Sequence, residues 1–145
     1  MASDIFAKLG DIKGESLDSK HKDEIEVLSY SWGVSNAGSM AHGSGGGEGK
    51  ATFHDLSFVH KIDKSSPVLL QACATGTHIK EATITHRKAG KEQHEYLIVK
   101  LNDVIITGVT HEGTAAATAL APETVSLACA KDDFEYKPQK SDGSL

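Results

Sequence analysis

Residues 24–36 read Glu-Ile-Glu-Val-Leu-Ser-Tyr-Ser-Trp-Gly-Val-Ser-Asn, and the alternation within them decides the fold class. Even positions hold Leu28, Tyr30, Trp32 and Val34; odd positions hold Val27, Ser29, Ser31, Gly33 and Ser35. A period of two places these sets on opposite faces of one strand. The large apolar set is expected to face a core. The small, hydroxylic set is expected to face water, as a smooth surface with few convergent charges. One strand over 25–36 would reach about 40 Å at ~3.3 Å per residue, which is long for a small domain.

Working outward, the same alternation recurs on both sides. Asp4–Leu9 reads as a first strand and Gly10–Asp23 as a polar, turn-rich segment. Six glycines fall between Gly38 and Gly49, so Ala37–Gly49 reads as a loop. Lys50–Phe58 reads as a third strand with an irregularity. One helix is predicted between Ser66, a cap, with Pro67 at the first helical position, and Gly76, which ends it in the left-handed conformation. Leu69 with Cys73, and Leu70 with Ala74, give it an apolar stripe suited to packing on a sheet. Beyond it, His78–Lys88 is a strand and residues 89–94 a hairpin loop. Tyr96–Leu101 and Val104–Val109 form a strand pair, or one strand broken near Asn102-Asp103. Gly113–Leu120 is a loop. Thr124–Ala130 is a strand with Val125, Leu127 and Cys129 on one face. Phe134 and Tyr136 have the opposite parity, which predicts a bulge or change of face before them. From Lys137 the chain reads as a polar, mobile tail over 137–145. The sum is an all-β fold: a mainly antiparallel β-barrel or sandwich, one domain over 1–145, with one short flanking α-helix.

Length and composition limit the function classes. A chain of 145 residues can bury a core that needs no disulfide or metal. Fifteen basic and twenty acidic residues give a net charge of −5, without the basic footprint of a nucleic-acid binder. No apolar run approaches the ~18 residues of a membrane span, and Met1-Ala-Ser-Asp-Ile-Phe has no signal-peptide pattern, so cytoplasmic synthesis is expected. Cys73 and Cys129 sit in apolar contexts and read as small core hydrophobes.

Motifs for chemistry fail one by one. A phosphate loop ending at Gly49-Lys50 needs glycine where Ser44 stands and a hydroxyl where Ala51 stands. The dinucleotide fingerprint meets Glu48 in place of its last glycine. The nucleophile elbow Gly-x-Ser-x-Gly is absent. Eight histidines show no paired metal spacing; His54 and His60, near Asp55 and Asp63, form the best local cluster, and structural histidines explain them more simply. The residues point to no catalytic group, no metal and no cofactor. Two readings remain, a structural subunit and a monomeric β-sandwich module for a small ligand or carbohydrate. The second needs clustered exposed aromatics.

The chain also resembles a known family. Asp4-Ile-Phe-Ala-Lys, Lys13-Gly-Glu-Ser and His21-Lys-Asp-Glu-Ile-Glu-Val-Leu-Ser-Tyr-Ser-Trp-Gly33 carry the likeness. So do the glycine loop with Gly49-Lys50, Asp55-Leu-Ser-Phe, Ile62-Asp-Lys-Ser-Ser-Pro67, Arg87-Lys-Ala-Gly90, Glu95-Tyr-Leu-Ile and Tyr136-Lys-Pro-Gln-Lys. In this order they resemble the haemolysin-coregulated protein (Hcp) family, the tube-forming subunit of bacterial type VI secretion. Many members continue into a further segment containing Gly-Trp, past the point Leu145 occupies here.

The resemblance implies a β-barrel with one flanking helix, a homo-hexameric ring, and rings stacked into a hollow tube. A contractile sheath drives that tube out of the cell with a spike protein at its tip, and effector proteins travel in the lumen. It implies secretion without a signal peptide, and partners that include neither nucleic acid nor membrane. Joined to the alternation above, it makes Ser29 and Ser31 the expected lumen and effector contacts. It makes Gly38, His42, Gly45, Gly46, Gly47 and Glu48 the expected ring-stacking loop, since glycine lets backbones approach closely.

Overall fold

The computed structural model describes residues 3–38, 51–88, 94–115 and 121–138. Its strands are β1 (Ser3–Leu9), β2 (Ile25–Ser31), β3 (Val34–Asn36), β4 (Ala51–Phe53), β5 (Leu56–Lys61), β6 (His78–Lys88), β7 (Glu95–His111) and β8 (Pro122–Tyr136), with helix α1 (Ser66–Thr75) between β5 and β6. Six strands close an antiparallel barrel in the order β1-β2-β5-β8-β7-β6; β3 and β4 form a separate two-stranded ribbon. The all-β expectation with one helix holds.

The core fills the barrel. Ala7, Leu9, Ile25, Phe58, Leu69, Ala82, Val104 and Val125 have no exposed surface. Closing the barrel leaves its six strands without free edges where the ladders run full length, which removes the main aggregation hazard of a sheet protein. Helix α1 packs against β7 and sends Leu69 and Ala72 into the core. Gly76 ends it at φ 65°, where a side chain would be strained. There Thr77 N–H donates to the Ala72 carbonyl at 3.0 Å and Gly76 N–H to the Cys73 carbonyl at 3.3 Å, closing a Schellman cap.

Four local expectations need correction. The strand predicted over 25–36 is broken at Trp32-Gly33, and its far end, β3, leaves the barrel to pair with β4. Within β2 the register slips between Val27 and Ser29, because Leu28 is a bulge residue without its own partner. The core face is therefore Ile25 and Val27 before the bulge, with Tyr30 and Trp32 packed against the core after it. Leu28 and Val34, expected inside, are each 56% exposed. On α1, Ser65 rather than Ser66 holds the N-cap position, and the Ser66 hydroxyl instead accepts from Asp63 N–H at 3.1 Å. The helix buries only a narrow stripe, so Leu70 and Ala74 lie outside it and Leu70 is exposed. The change of face expected before Phe134 is present: β7 and β8 stay in one register from Leu97↔Tyr136 to Val104↔Cys129, yet Cys129 pairs with buried Val104 and Phe134 with buried Val99, so both strands switch faces near Asp103, where φ is 55°.

Candidate lumen and contact surfaces

The bulge at Leu28 has a direct consequence for the outer surface. It places Ser29 and Ser31 outside the barrel, both exposed, in register with two rows of small residues on neighbouring strands. Ser31 pairs with Ser57, Ser57 with Ser126, and Ser126 with Gly108. One step along, Ser29 pairs with Val59, Val59 with Thr124, and Thr124 with Thr110. Directly paired residues share a face, so β2, β5, β8 and β7 present one belt. At ~4.8 Å between strands it is roughly 14 Å wide.

None of the eight belt positions is charged or aromatic. The Ser57 and Ser126 hydroxyls lie 2.9 Å apart and hydrogen-bond to each other. Gly108 leaves the Ser126 side chain free of a neighbouring methyl; a Cβ there would sit 3.8 Å from Ser126 Cβ. Such a wall offers hydroxyls that exchange hydrogen bonds with water or a passing surface, and little apolar area to hold that surface by burial. At its edge Thr107 donates to the Asp55 carboxylate at 2.6 Å.

The ribbon supplies a second surface. All six of its residues are exposed. Val34 pairs with Phe53, and Ser35 with Thr52, so one face is apolar and the other hydroxylic. Below it, β5 begins only at Leu56, and β8 past Leu127 has no ladder partner on that side among the described residues. Trp32 spans this opening and stacks on Phe134, ring centroids 5.7 Å apart and nearly parallel. Of the loop residues expected to stack rings, Gly38 is exposed, while His42, Gly45, Gly46, Gly47 and Glu48 lie outside the described residues.

The opposite wall of the barrel is covered by the chain itself. Arg87 points outward from β6 yet is only 2% exposed, because residues 10–23 fold across it. Its guanidinium donates to both carboxylate oxygens of Asp18, at 2.9 and 2.5 Å, and to Asp4 at 3.2 Å, and lies over the Phe6 ring at 4.8 Å. That guanidinium, with backbone N–H donors from Lys20 and His21, holds the Asp18 carboxyl down at about 2. The His21 ring also stacks on Phe6, at 4.4 Å, between Glu24 and Glu95 at 3.0 and 2.6 Å. Sequence reading missed this network because an outward arginine in a strand looks like any solvated cation.

The histidine cluster resolves differently from its sequence spacing. His60 is fully buried and bonds Glu123, its partner across β5 and β8, at 2.8 Å. Asp63 lies 3.9 Å from its other ring nitrogen, while His54 is exposed and apart from this pair. No three groups among the described residues converge as metal ligands. Cys73 and Cys129 are both free thiols, half-buried against the core; burial pushes the Cys129 thiol up, away from its reactive form.

Known proteins share this sequence and geometry. The family model described as "Type VI secretion system effector, Hcp" matches residues 6–136. Protein hcp1 of Pseudomonas aeruginosa is 49% identical over 145 residues, spanning 99% of this chain and 89% of that protein. The crystal structure of Hcp1 from Salmonella typhimurium is 41% identical with a TM-score of 0.81, over 94% of this chain and 87% of that one. A structure described as a type six secretion system protein reaches a TM-score of 0.93 at 29% identity, over 99% and 89% of the two chains. A type VI secretion system effector from Yersinia pestis gives 0.79 at 39% identity, over 95% and 93%.

Proposed function

This chain belongs to the Hcp family of type VI secretion proteins, and we propose that it works as a tube subunit whose β2-β5-β8-β7 belt faces the lumen. Six copies close into a ring, rings stack into a tube, and effector proteins ride inside against Ser29 and Ser31. A spike protein caps the tube and a contractile sheath expels it. The subunit carries out no bond chemistry. It is made in the cytoplasm and leaves through the secretion machine; no helix among the described residues is long and apolar enough to cross a membrane.

One observation carries the assignment of the lumen face: two rows of uncharged, small residues run in register across four strands. Elsewhere residues 10–23 cover part of the barrel, and large apolar side chains stand exposed among the described residues. Leu17, Leu28, Val68 and Leu70 are among them, at 90, 56, 46 and 51% exposure. Large apolar side chains left in water mark surfaces that another molecule covers. A ring supplies that cover symmetrically.

Native mass measurement tests the reading. A particle of about six times 15.4 kDa, seen as a ring in electron micrographs, is expected. A monomer at micromolar concentration overturns it. Bulky substitution at Ser31 should leave that mass unchanged and lower the amount of co-purified effector; unchanged retention rejects the lumen assignment.

A further inference from the structure

Residues 16–23 form a small loop over the outer face of β1 and β6. Backbone bonds close its neck: Ser16 N–H donates to the Glu24 carbonyl at 3.0 Å, and Asp23 N–H to the Ser16 carbonyl at 2.9 Å. Two side chains then pin the loop to the barrel. Asp18 reaches Arg87 on β6, and His21 reaches Glu95 on β7. Beneath them lie Phe6 and Arg87, both buried.

The second pin sets a chemical condition. His21 Nδ1 lies 3.0 Å from a Glu24 carboxylate oxygen, and Nε2 lies 2.6 Å from one of Glu95. A carboxylate only accepts, and a neutral imidazole carries one N–H; only the imidazolium donates from both nitrogens. The 2.6 Å contact has the shortness of a charge-assisted bond. The stack on Phe6 also suits a cation. Arg87, over the same phenyl ring at 4.8 Å, is already paired with Asp4 on β1 and with Asp18. Lys20 and Lys22 flank His21 on the loop itself. Lys88 on β6 lies over Tyr96, at 5.9 Å.

We propose that His21 is a pH-sensitive clasp: as an imidazolium it holds the 16–23 loop closed across Phe6 and Arg87, and loss of its proton to water lets the loop lift. A neutral ring turns a bare nitrogen lone pair towards one of the two carboxylates. Glu95 is the more open of them, with 33% of its side chain exposed against 16% for Glu24. Glu95 therefore turns to solvent, and the tie to β7 is lost. A histidine that folding holds as its cation stabilises on the acid side, and that stabilisation fades as pH rises. The Asp18 tie responds in the opposite direction, being lost as pH falls towards about 2. The clasp lies within one subunit, so it stands apart from the lumen assignment.

Hydrogen exchange read by mass spectrometry on the intact particle tests the clasp. Slow exchange at the His21 Cε1 carbon follows the titration of that ring, and amide exchange follows the loop. Between about pH 5 and about pH 10, amide exchange over residues 17–22, corrected for its intrinsic rate, should rise about tenfold as the ring loses its proton, with β1 and β6 unchanged. A ring already neutral at the acid end, or protection that stays the same when the proton leaves, overturns the proposal. Two variants separate the clasp from simple packing. His21→Phe keeps a ring on Phe6 without hydrogen bonds, and its loop should exchange at the released rate at every pH. In Glu95→Gln the amide accepts from an N–H or donates to a bare nitrogen, so the loop should stay closed across the range. Full protection in the first, or an unaltered pH response in the second, counts against the clasp.

Discussion

Ser57 on β5 and Ser126 on β8 face each other across the ladder and join their hydroxyls at 2.9 Å, at the centre of the smooth belt. The bond orients both side chains along the wall. Replacing Ser126 by Phe would raise a ring in the middle of that wall without touching the core residues on either side, Val125 and Leu127. The hexamer mass should stay as it is while effector retention falls about tenfold, the equivalent of ~1.4 kcal/mol. Pull-down of effector with the variant measures it, and equal recovery would show that cargo sits elsewhere.

Acid should loosen the cover over β1 and β6. Asp18 titrates at about 2 in the folded chain against 3.8 for a free aspartate, chiefly because Arg87 hydrogen-bonds to it. A folded value below the unfolded one means the stabilisation is complete above pH ~4 and is lost as pH falls towards ~2. Asp18 is partly open to solvent, so salt weakens the effect. Thermal melts of Asp18→Asn should show a flatter pH dependence than the parent between pH 4 and 2; identical slopes would remove Asp18 from the account.

Arg87 itself should matter more. Its near-complete burial between Asp4, Asp18 and Phe6 leaves two carboxylates facing each other once it is gone. Arg87→Ala should cost about 3 kcal/mol, read from urea unfolding, and Arg87→Lys should recover only part of it because an ammonium cannot make the paired contact to Asp18.

His60 and Glu123 should behave as a unit. Either single change to leucine strands a polar partner inside the barrel, at about 3 kcal/mol or more. The double change to leucine should be much less damaging, since an apolar pair replaces a buried polar one. A double-mutant cycle by denaturant melts decides, and additive losses would mean the pair is not coupled.

Gly14 should not tolerate a side chain. A Cβ there would lie 2.5 Å from the Glu24 carbonyl oxygen and 2.8 Å from Ile25 Cα, both backbone atoms at the start of β2. Gly14→Ala should cost about 2 kcal/mol through forced backbone movement, measured as a lowered melting temperature; a neutral result would place the 10–23 segment farther from β2 in solution.

Much of this architecture was legible because local chemistry speaks plainly at certain residues. Pro67 and Gly76 marked the helix ends to within one residue, and Thr-Ile alternation marked His78–Lys88 as a strand. Leu28 was not legible. A bulge leaves no trace in a two-residue period, so the alternation put Leu28 inside, and Val34 keeps the inward parity but leaves the barrel with β3. The pairing of Ser31 with Ser57 and Ser126 was equally hidden, since it depends on the register of strands nearly a hundred residues apart in the chain. Ser29 and Ser31 were found because their own strand singled them out; Ser57, Ser126 and Thr124 sit in strands whose outer faces look ordinary by themselves. Arg87 was overlooked because what buries it is a loop distant in sequence.

The slipped register in β2 sets a rule for anyone who would redesign the proposed lumen wall. Counting every second residue from Ile25 passes through Val27 to Ser29 and Ser31, and so crosses from the inside of the barrel to its outside. A mutant library drawn on that count would scramble folding at its first two sites and alter the outer belt at its last two. Deleting Leu28 alone would remove the extra residue and merge the two halves into one regular alternation, with Ile25 and Val27 still inward and Ser29 and Ser31 still outward.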